Sequence, residues 1–267
     1  MKRNILPVIA IALLASCGES VEERAARLLQ QATAAYEQAD YGNAKILIDS
    51  IRSASPSAIE ARRSALSLMR NVEIAEQQRS LSHFNEVLTT LYAKRYSMLQ
   101  HFSYEKDERF QDEGSYTFPS QTSSLNTRSS YLAARVTESG TAYLTSQYRG
   151  RKLAHNSIKV SAAGSFVSCD SLFSSRTYTS LGANNERIDF VYGKDGGIMD
   201  FITAMQGEKI EVELSGGKGS YKYRLSSNDA KAIAMVTSLA RVLRSVAEYE
   251  AMAAEAKRHI DFLQSKQ

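Results

Sequence analysis

Apolar positions along this chain follow two different periods, and each period predicts a different kind of structure. From residue 21 to about 56, Leu28, Leu29, Ala32 and Tyr36 recur at helical spacing. Residues 57–102 contain neither Pro nor Gly. An unbroken helix there would be about 70 Å long. Its second half carries a 3-4 seam of Leu81, Phe84, Leu88, Leu91, Met98 and Phe102, with Arg95 as the exception. The stretch 70–80 is more polar, so a break near Asn71 or Ser80 stands as the alternative to continuity.

Residues 103–129 are first charged and then rich in Ser, Thr and Asn, the pattern of a linker. From 130 to 225 the period changes to two. Runs at 131–136, 142–148, 157–161, 165–169, 187–192, 209–214 and 221–224 are rich in Tyr, Val, Ile and Thr and are separated by turn residues. The last two runs predict a hairpin about 215–220. Its register puts Leu214 against Tyr221, Val212 against Tyr223 and Ile210 against Leu225, while Glu213 meets Lys222 and Glu211 meets Arg224 on the other face. Ile198, Phe201, Ile202 and Met205 predict a short helix that covers part of the sheet. Ser226 and Asp229 form a capping box. It opens a final helix whose seam runs Met235, Leu239, Val242, Val246, Tyr249, Ala253, Ala256, Ile260 and Leu263.

These periods predict an α+β fold. A helical hairpin and long helices accompany an inserted, mostly antiparallel β-domain, and the C-terminal helix pairs antiparallel with the long helix. A parallel homodimer through the C-terminal seam is the competing arrangement. The expected divisions are 1–16, 17–56, 57–104, 105–226 and 227–267.

The first of these divisions has a chemistry of its own. Lys2 and Arg3 precede an apolar run from Ile5 to Leu14. That run is too short for a bilayer span, which needs roughly 20 residues, and it has the form of a signal peptide. It ends in Leu14-Ala15-Ser16-Cys17, which resembles the lipobox of bacterial lipoproteins. The resemblance implies that residues 1–16 are removed, that Cys17 is lipidated, and that the membrane is a partner through that lipid. Gly18, where Asp would favour inner-membrane retention, implies the outer membrane, on its periplasmic face or at the cell surface. The acidic residues Glu19, Glu22 and Glu23 resemble the surface-export tags of some lipoproteins, and they also suit the first turn of a helix.

A second resemblance lies just downstream. Tyr36, Ala39, Asp40, Tyr41, Ala44 and Pro56 take the places of the conserved positions in one tetratricopeptide repeat, with Ala39 where the family has Gly. The family's early helix-A aromatic is missing, and no second copy follows. One repeat cannot build the concave groove of an array, so a helical hairpin capping the next helices is expected.

Composition narrows the function. The formal charge is +4, and loss of Lys2 and Arg3 brings it to +2, with no basic block. Nothing supports a nucleic-acid partner. If Cys17 is lipidated, Cys169 has no partner for an intramolecular disulfide and is expected as a small buried hydrophobe on a strand. His83, His101, His155 and His259 show no metal-ligand spacing, and no metal or cofactor is expected. The run Gly216-Gly217-Lys218-Gly219-Ser220 lacks phosphate-loop spacing and reads as the hairpin turn, and Asp195-Gly196-Gly197 reads as another turn. Asp170, Glu186, Asp189, Asp195 and Asp200 lie in the β region, but the sequence cannot bring any two together. Tyr131, Tyr143, Tyr148, Tyr178 and Tyr192 offer aromatic surface for protein or sugar, or else pack the sheet. The expected partner-binding residues are Tyr148, Arg149, Arg151 and His155. The function so predicted is that of a non-catalytic, lipid-anchored envelope module that binds a protein partner or a surface polymer. The alternatives are a carbohydrate-binding accessory lipoprotein and an envelope hydrolase centred on His155 or the loop carboxylates.

Overall fold

The computed structural model describes residues 19–124, 130–171, 176–180 and 183–266. Cys17, Gly18 and the run before them lie outside the described residues. The chain is α+β, with six helices and two antiparallel sheets among the described residues. It forms two compact units. One comprises the residues up to Leu81 together with those from Glu255, and the other comprises Ser82–Ala254.

In the first unit α1 (Val21–Glu37) and α2 (Tyr41–Ala54) form a hairpin. The capping box expected of a helix start is complete: the Glu23 N–H donates to Ser20 Oγ at 3.1 Å, and the Ser20 N–H donates to Glu23 Oε2 at 2.9 Å. α1 ends with the Asp40 N–H donating to the Ala35 carbonyl and the Ala39 N–H donating to the Tyr36 carbonyl. That is a Schellman closure, which turns the residue after the cap left-handed. The residue is Ala39, at φ 56°. A side chain there costs about 1–2 kcal/mol, and this explains why glycine is the usual occupant. Asp40 then caps α2 by accepting from the Asn43 N–H. The hairpin core joins Ala25, Ala32 and Ala35 to Ala44, Ile48 and Ile51, and Ala58, just before α3 (Ile59–Leu99), joins it together with Ala65 and Val72 of that helix. Alanine-lined faces let the backbones approach closely. α3 runs 41 residues without interruption, so the alternative, a break near Asn71 or Ser80, is absent.

α6 (Ser227–Gln264) packs on α3 in both units. In the first unit Ile74 and Leu81 cluster with Ile260 and Leu263. In the second, Phe84 meets Tyr249 edge-on at 6.0 Å, the Tyr92 hydroxyl donates to Glu250 at 2.8 Å, and Leu91 and Lys94 share a small cavity with Ser238, Arg241, Val242 and Ser245, so later residues of α3 meet earlier ones of α6 and the two helices run antiparallel.

The second unit also holds both sheets. Its strands are β1 (Ser103–Glu105), β2 (Ser115–Thr117), β3 (Tyr131–Thr137), β4 (Ala142–Gly150), β5 (His155–Ala162), β6 (Ser165–Asp170), β7 (Arg176–Ser180), β8 (Ala183–Val191), β9 (Glu211–Gly216) and β10 (Gly219–Arg224). The short helix α4 (Pro119–Ser124) precedes β3, and α5 (Ile198–Ala204) lies between β8 and β9. The six-stranded sheet has the order β1-β2-β3-β4-β8-β7, and the four-stranded sheet β10-β9-β5-β6. The β9–β10 register matches the predicted one at Leu214–Tyr221, Glu213–Lys222, Val212–Tyr223 and Glu211–Arg224.

Alternation sends Leu132, Ala134, Val136, Leu144, Ile188 and Phe190 of one sheet into the same core as Ile158, Val160, Val212 and Leu214 of the other. α5 adds Ile198, Met199 and Ile202 to it, and α6 adds Ile233, Val236, Leu239, Ala240 and Leu243. The turn before α5 is held by Asp195, which is buried and accepts from the N–H groups of Gly193, Gly197 and Met199. Cys169 lies on β6 as expected but is half-buried, touching the edge of the core. Burial and the carboxylates of Asp195 and Asp170 raise its thiol pKa.

Candidate functional site

The four residues expected to bind a partner do not share a surface. β4 alternates, so Ser146 and Tyr148 point into the core beside Leu144, while Arg149 points away and is half-buried. Tyr148 is only 7% exposed. Its ring packs against His155 at 6.2 Å and Tyr221 at 5.2 Å. His155 is not a loop residue but the first residue of β5, and it is fully buried. The chain crosses from one sheet to the other between β4 and β5, and the end of that crossing lies inside. Only Arg151 of the four is exposed.

What His155 meets inside is a polar constellation that the sequence does not announce. Its Nε2 lies 3.2 Å from Ser146 Oγ and its Nδ1 lies 3.0 Å from Glu186 Oε2. Glu186 also accepts the backbone N–H groups of Leu153 at 2.7 Å, Ala154 at 2.9 Å and His155 at 2.9 Å, and the Asn184 amide at 3.2 Å. Burial alone would raise the Glu186 pKa, but these hydrogen bonds outweigh it and hold the carboxyl at about 2. Burial lowers the pKa of His155, partly opposed by Glu186. The imidazole is therefore neutral: Nδ1–H donates to the carboxylate, and Nε2 accepts from the serine hydroxyl.

Serine, histidine and acid in this order have the connectivity of a hydrolytic triad. Access decides against such a role. All three residues are 0% exposed, so no acyl group can reach Ser146 Oγ in this conformation. The physical work of the cluster is to pin the crossing between the sheets. Neighbours reinforce it. The Lys218 N–H of the β9–β10 turn donates to the Leu153 carbonyl at 3.2 Å. Gly216 lies so close beneath the crossing that a Cβ there would stand 2.1 Å from the Ala154 carbonyl oxygen.

Two open depressions lie on the outer faces of the sheets. On the four-stranded sheet a wide depression of about 640 Å³ is lined by Lys159, Phe166, Lys209, Glu211, Glu213 and Arg224, among others. Its charges alternate across the strands: Glu213 pairs with Lys222 at 3.4 Å, and Lys159 sits over Phe166 at 4.2 Å. This is the pattern of a solvated sheet face.

The six-stranded sheet differs. Its outward residues on β3 are Tyr131, Ala133 and Arg135. On β4 they are Tyr143, Thr145 and Gln147, and on β8 Asn185, Arg187 and Asp189. Ala133, small and central, leaves a notch between Tyr131 and Arg135. The result is a cleft of about 170 Å³ whose walls include Glu105, Thr117, Tyr131, Arg135, Thr145 and Arg187. Gln121 of α4 closes one side by standing in for a strand: its amide donates to the Leu132 carbonyl at 3.2 Å and accepts from the Ala134 N–H at 2.9 Å. Asp189 organises the floor. It accepts from Thr145 at 2.5 Å and reaches Arg135 and Arg187 at 3.5 and 3.4 Å. Arg135 also covers the Tyr143 ring at 4.3 Å.

No family model, curated protein or solved structure matches this chain. The reading of the cleft rests on its own geometry. Of the tyrosines singled out in the sequence, Tyr131 and Tyr143 belong to this face, and both are half-buried. The Tyr178 side chain lies outside what is described. His83, His101 and His259 are exposed, and none of them lines the cleft. Among the described residues no three His, Cys, Asp or Glu side chains gather as metal ligands. Sequence reasoning missed Ser146, Glu186, Arg135, Thr145, Arg187 and Asp189 as groups. A usable signal was present for Glu186, which shares strand parity with Ile188 and Phe190. A carboxylate on an apolar face must find donors.

Proposed function

We propose that this protein is a lipid-anchored cell-envelope module that binds its partner, a protein or a surface polymer, rather than transforming it. The observation that carries the binding half is the contrast in access. The one constellation with hydrolytic connectivity among the described residues is sealed, while polar side chains on the sheet's outer face line an open cleft. The anchoring half is supported by the lipobox-like Leu14-Ala15-Ser16-Cys17. Among the described residues no helix is long and apolar enough to cross a membrane. Attachment in this reading falls to acyl chains on Cys17, each buried CH₂ contributing about 0.8 kcal/mol.

Cys17→Ser is expected to move the protein from the membrane to the soluble fraction when cells are fractionated. Retention equal to wild type would remove the anchoring reading. The second reading, an envelope hydrolase, is favoured by the 3.2 and 3.0 Å contacts of His155. A fluorophosphonate probe decides between them. Binding without catalysis predicts no label on Ser146 in the folded protein, whereas stoichiometric labelling that Ser146→Ala abolishes would establish the hydrolase.

A further inference from the structure

We propose that the cleft on the outer face of the six-stranded sheet binds one neutral sugar residue of a glycan, held through its hydroxyl groups. This rests on the reading of the protein as a binding module and names the ligand class of its cleft. Three observations point to it.

The first is size. Clefts for drug-sized ligands are about 300–1,000 Å³. A cleft of about 170 Å³ suits one ring of a longer chain, with the rest of the polymer outside.

The second is charge. Arg135 and Arg187 are balanced by Glu105 on the wall and Asp189 on the floor. The site is polar yet close to neutral, so it offers an anion little net attraction and a neutral ligand many directed contacts.

The third is unspent hydrogen-bonding capacity. Arg135 reaches Asp189 only at 3.5 Å, beyond the roughly 2.7–2.9 Å of a charge-assisted hydrogen bond, and Arg187 commits a single nitrogen, which donates to Thr145 Oγ1 and Asp189 Oδ1 at 3.4 Å, so both guanidinium groups keep N–H donors for a ligand. Planar guanidinium and carboxylate groups can each bridge two adjacent hydroxyls, one donating and one accepting.

The test is calorimetric titration of the full-length protein in a detergent without a sugar headgroup. Maltotriose, cellotriose and mannotriose serve as neutral probes and trigalacturonate as the charged one. At least one neutral trisaccharide is expected to bind saturably. Its affinity should change less than twofold between 20 and 500 mM salt, because no net charge is screened. Ala133→Phe fills the notch without touching a charge and is expected to weaken binding at least tenfold, as is Arg187→Gln. Thermal midpoints equal to wild type would show both variants folded; if one unfolds, Arg135→Gln replaces it, with the same expected loss. Binding of trigalacturonate alone, binding of no probe, or affinity unchanged in the folded variants would overturn the proposal. Fractionation of Cys17→Ser reads anchoring separately, so either idea can fail without the other.

Discussion

Replacing Glu186 by glutamine is expected to lower the thermal unfolding midpoint by about 10 °C, given about 2–4 °C per kcal/mol for a chain of this size. The reason is donor counting. Oε1 accepts from the Leu153 and Ala154 N–H groups, and Oε2 accepts from the His155 N–H and ring Nδ1–H. Glutamine replaces one of these oxygens with an NH₂, so at least two donors face another donor in a fully buried place. Breaking a buried, hydrogen-bonded charge costs about 3–5 kcal/mol. A midpoint within about 2 °C of wild type, measured by circular dichroism, would mean that the crossing between the sheets is held by something else.

The same carboxyl makes stability depend on pH with a definite sign. Its pKa is about 2 folded against 4.5 in the unfolded chain. A lowered carboxyl pKa contributes stability that is complete above about 4.5 and is lost as pH falls through about 2. The difference corresponds to roughly 3 kcal/mol. His155 acts in the same direction at higher pH. Burial lowers its folded pKa, so below the ordinary 6.5 the unfolded chain takes up a proton that the folded chain refuses. Wild-type stability therefore declines in two stages on acidification, and Glu186→Gln abolishes the lower stage.

How much of this was legible in the sequence depends on whether a feature is local. The β9–β10 register was legible because apolar and charged pairs alternate about one turn, and every pair is near in sequence. The helix seams were legible for the same reason. α6 was half legible: its heptad seam is real, but Ile233, Val236, Ala240 and Leu243 form a second buried stripe that faces the sheet core. A single-seam reading has no place for it. β1, β2 and β7 were missed because three to five residues such as Ser103–Glu105 carry too little alternation to show a period. His155 was misplaced for a sharper reason. The β5–β9 register shifts between His155 and Ser157, and that bulge turns His155 inward against the parity of Ile158 and Val160. Its acid partner lies 31 residues away in sequence. The outer cleft was illegible for a different reason: Arg135, Thr145, Arg187 and Asp189 come from three strands, and only their register sets them side by side.

The second large effect is expected at Leu243 and Leu88. Leu243 is 7% exposed and belongs to the core between α6 and the sheets, and Leu88 is 6% exposed on the α3 seam. At Leu243 a replacement has no room to turn aside. A Cβ added at Gly140 would lie only 3.0 Å from the Leu243 Cβ, and Arg244 Nε donates to the Gly140 carbonyl at 3.2 Å, so that turn is pressed onto the helix. Leu243→Asp loses the packing of a buried leucine, about 2–5 kcal/mol, and also buries a carboxyl without a designed partner. Leu88→Asp does the same where α3 meets α6. Both variants are expected to lose at least about 3 kcal/mol in denaturant unfolding at pH 7 and to recover part of it near pH 4, where the carboxyl can be neutral. Leu→Met at each position keeps the volume and should cost under about 1.5 kcal/mol, which separates burial of charge from disturbance of the helix. Unfolding midpoints equal to wild type for both aspartates would contradict the α3–α6 pairing and the sheet-facing stripe together. A loss at Leu243 alone would keep the core and place the α3 seam in solvent.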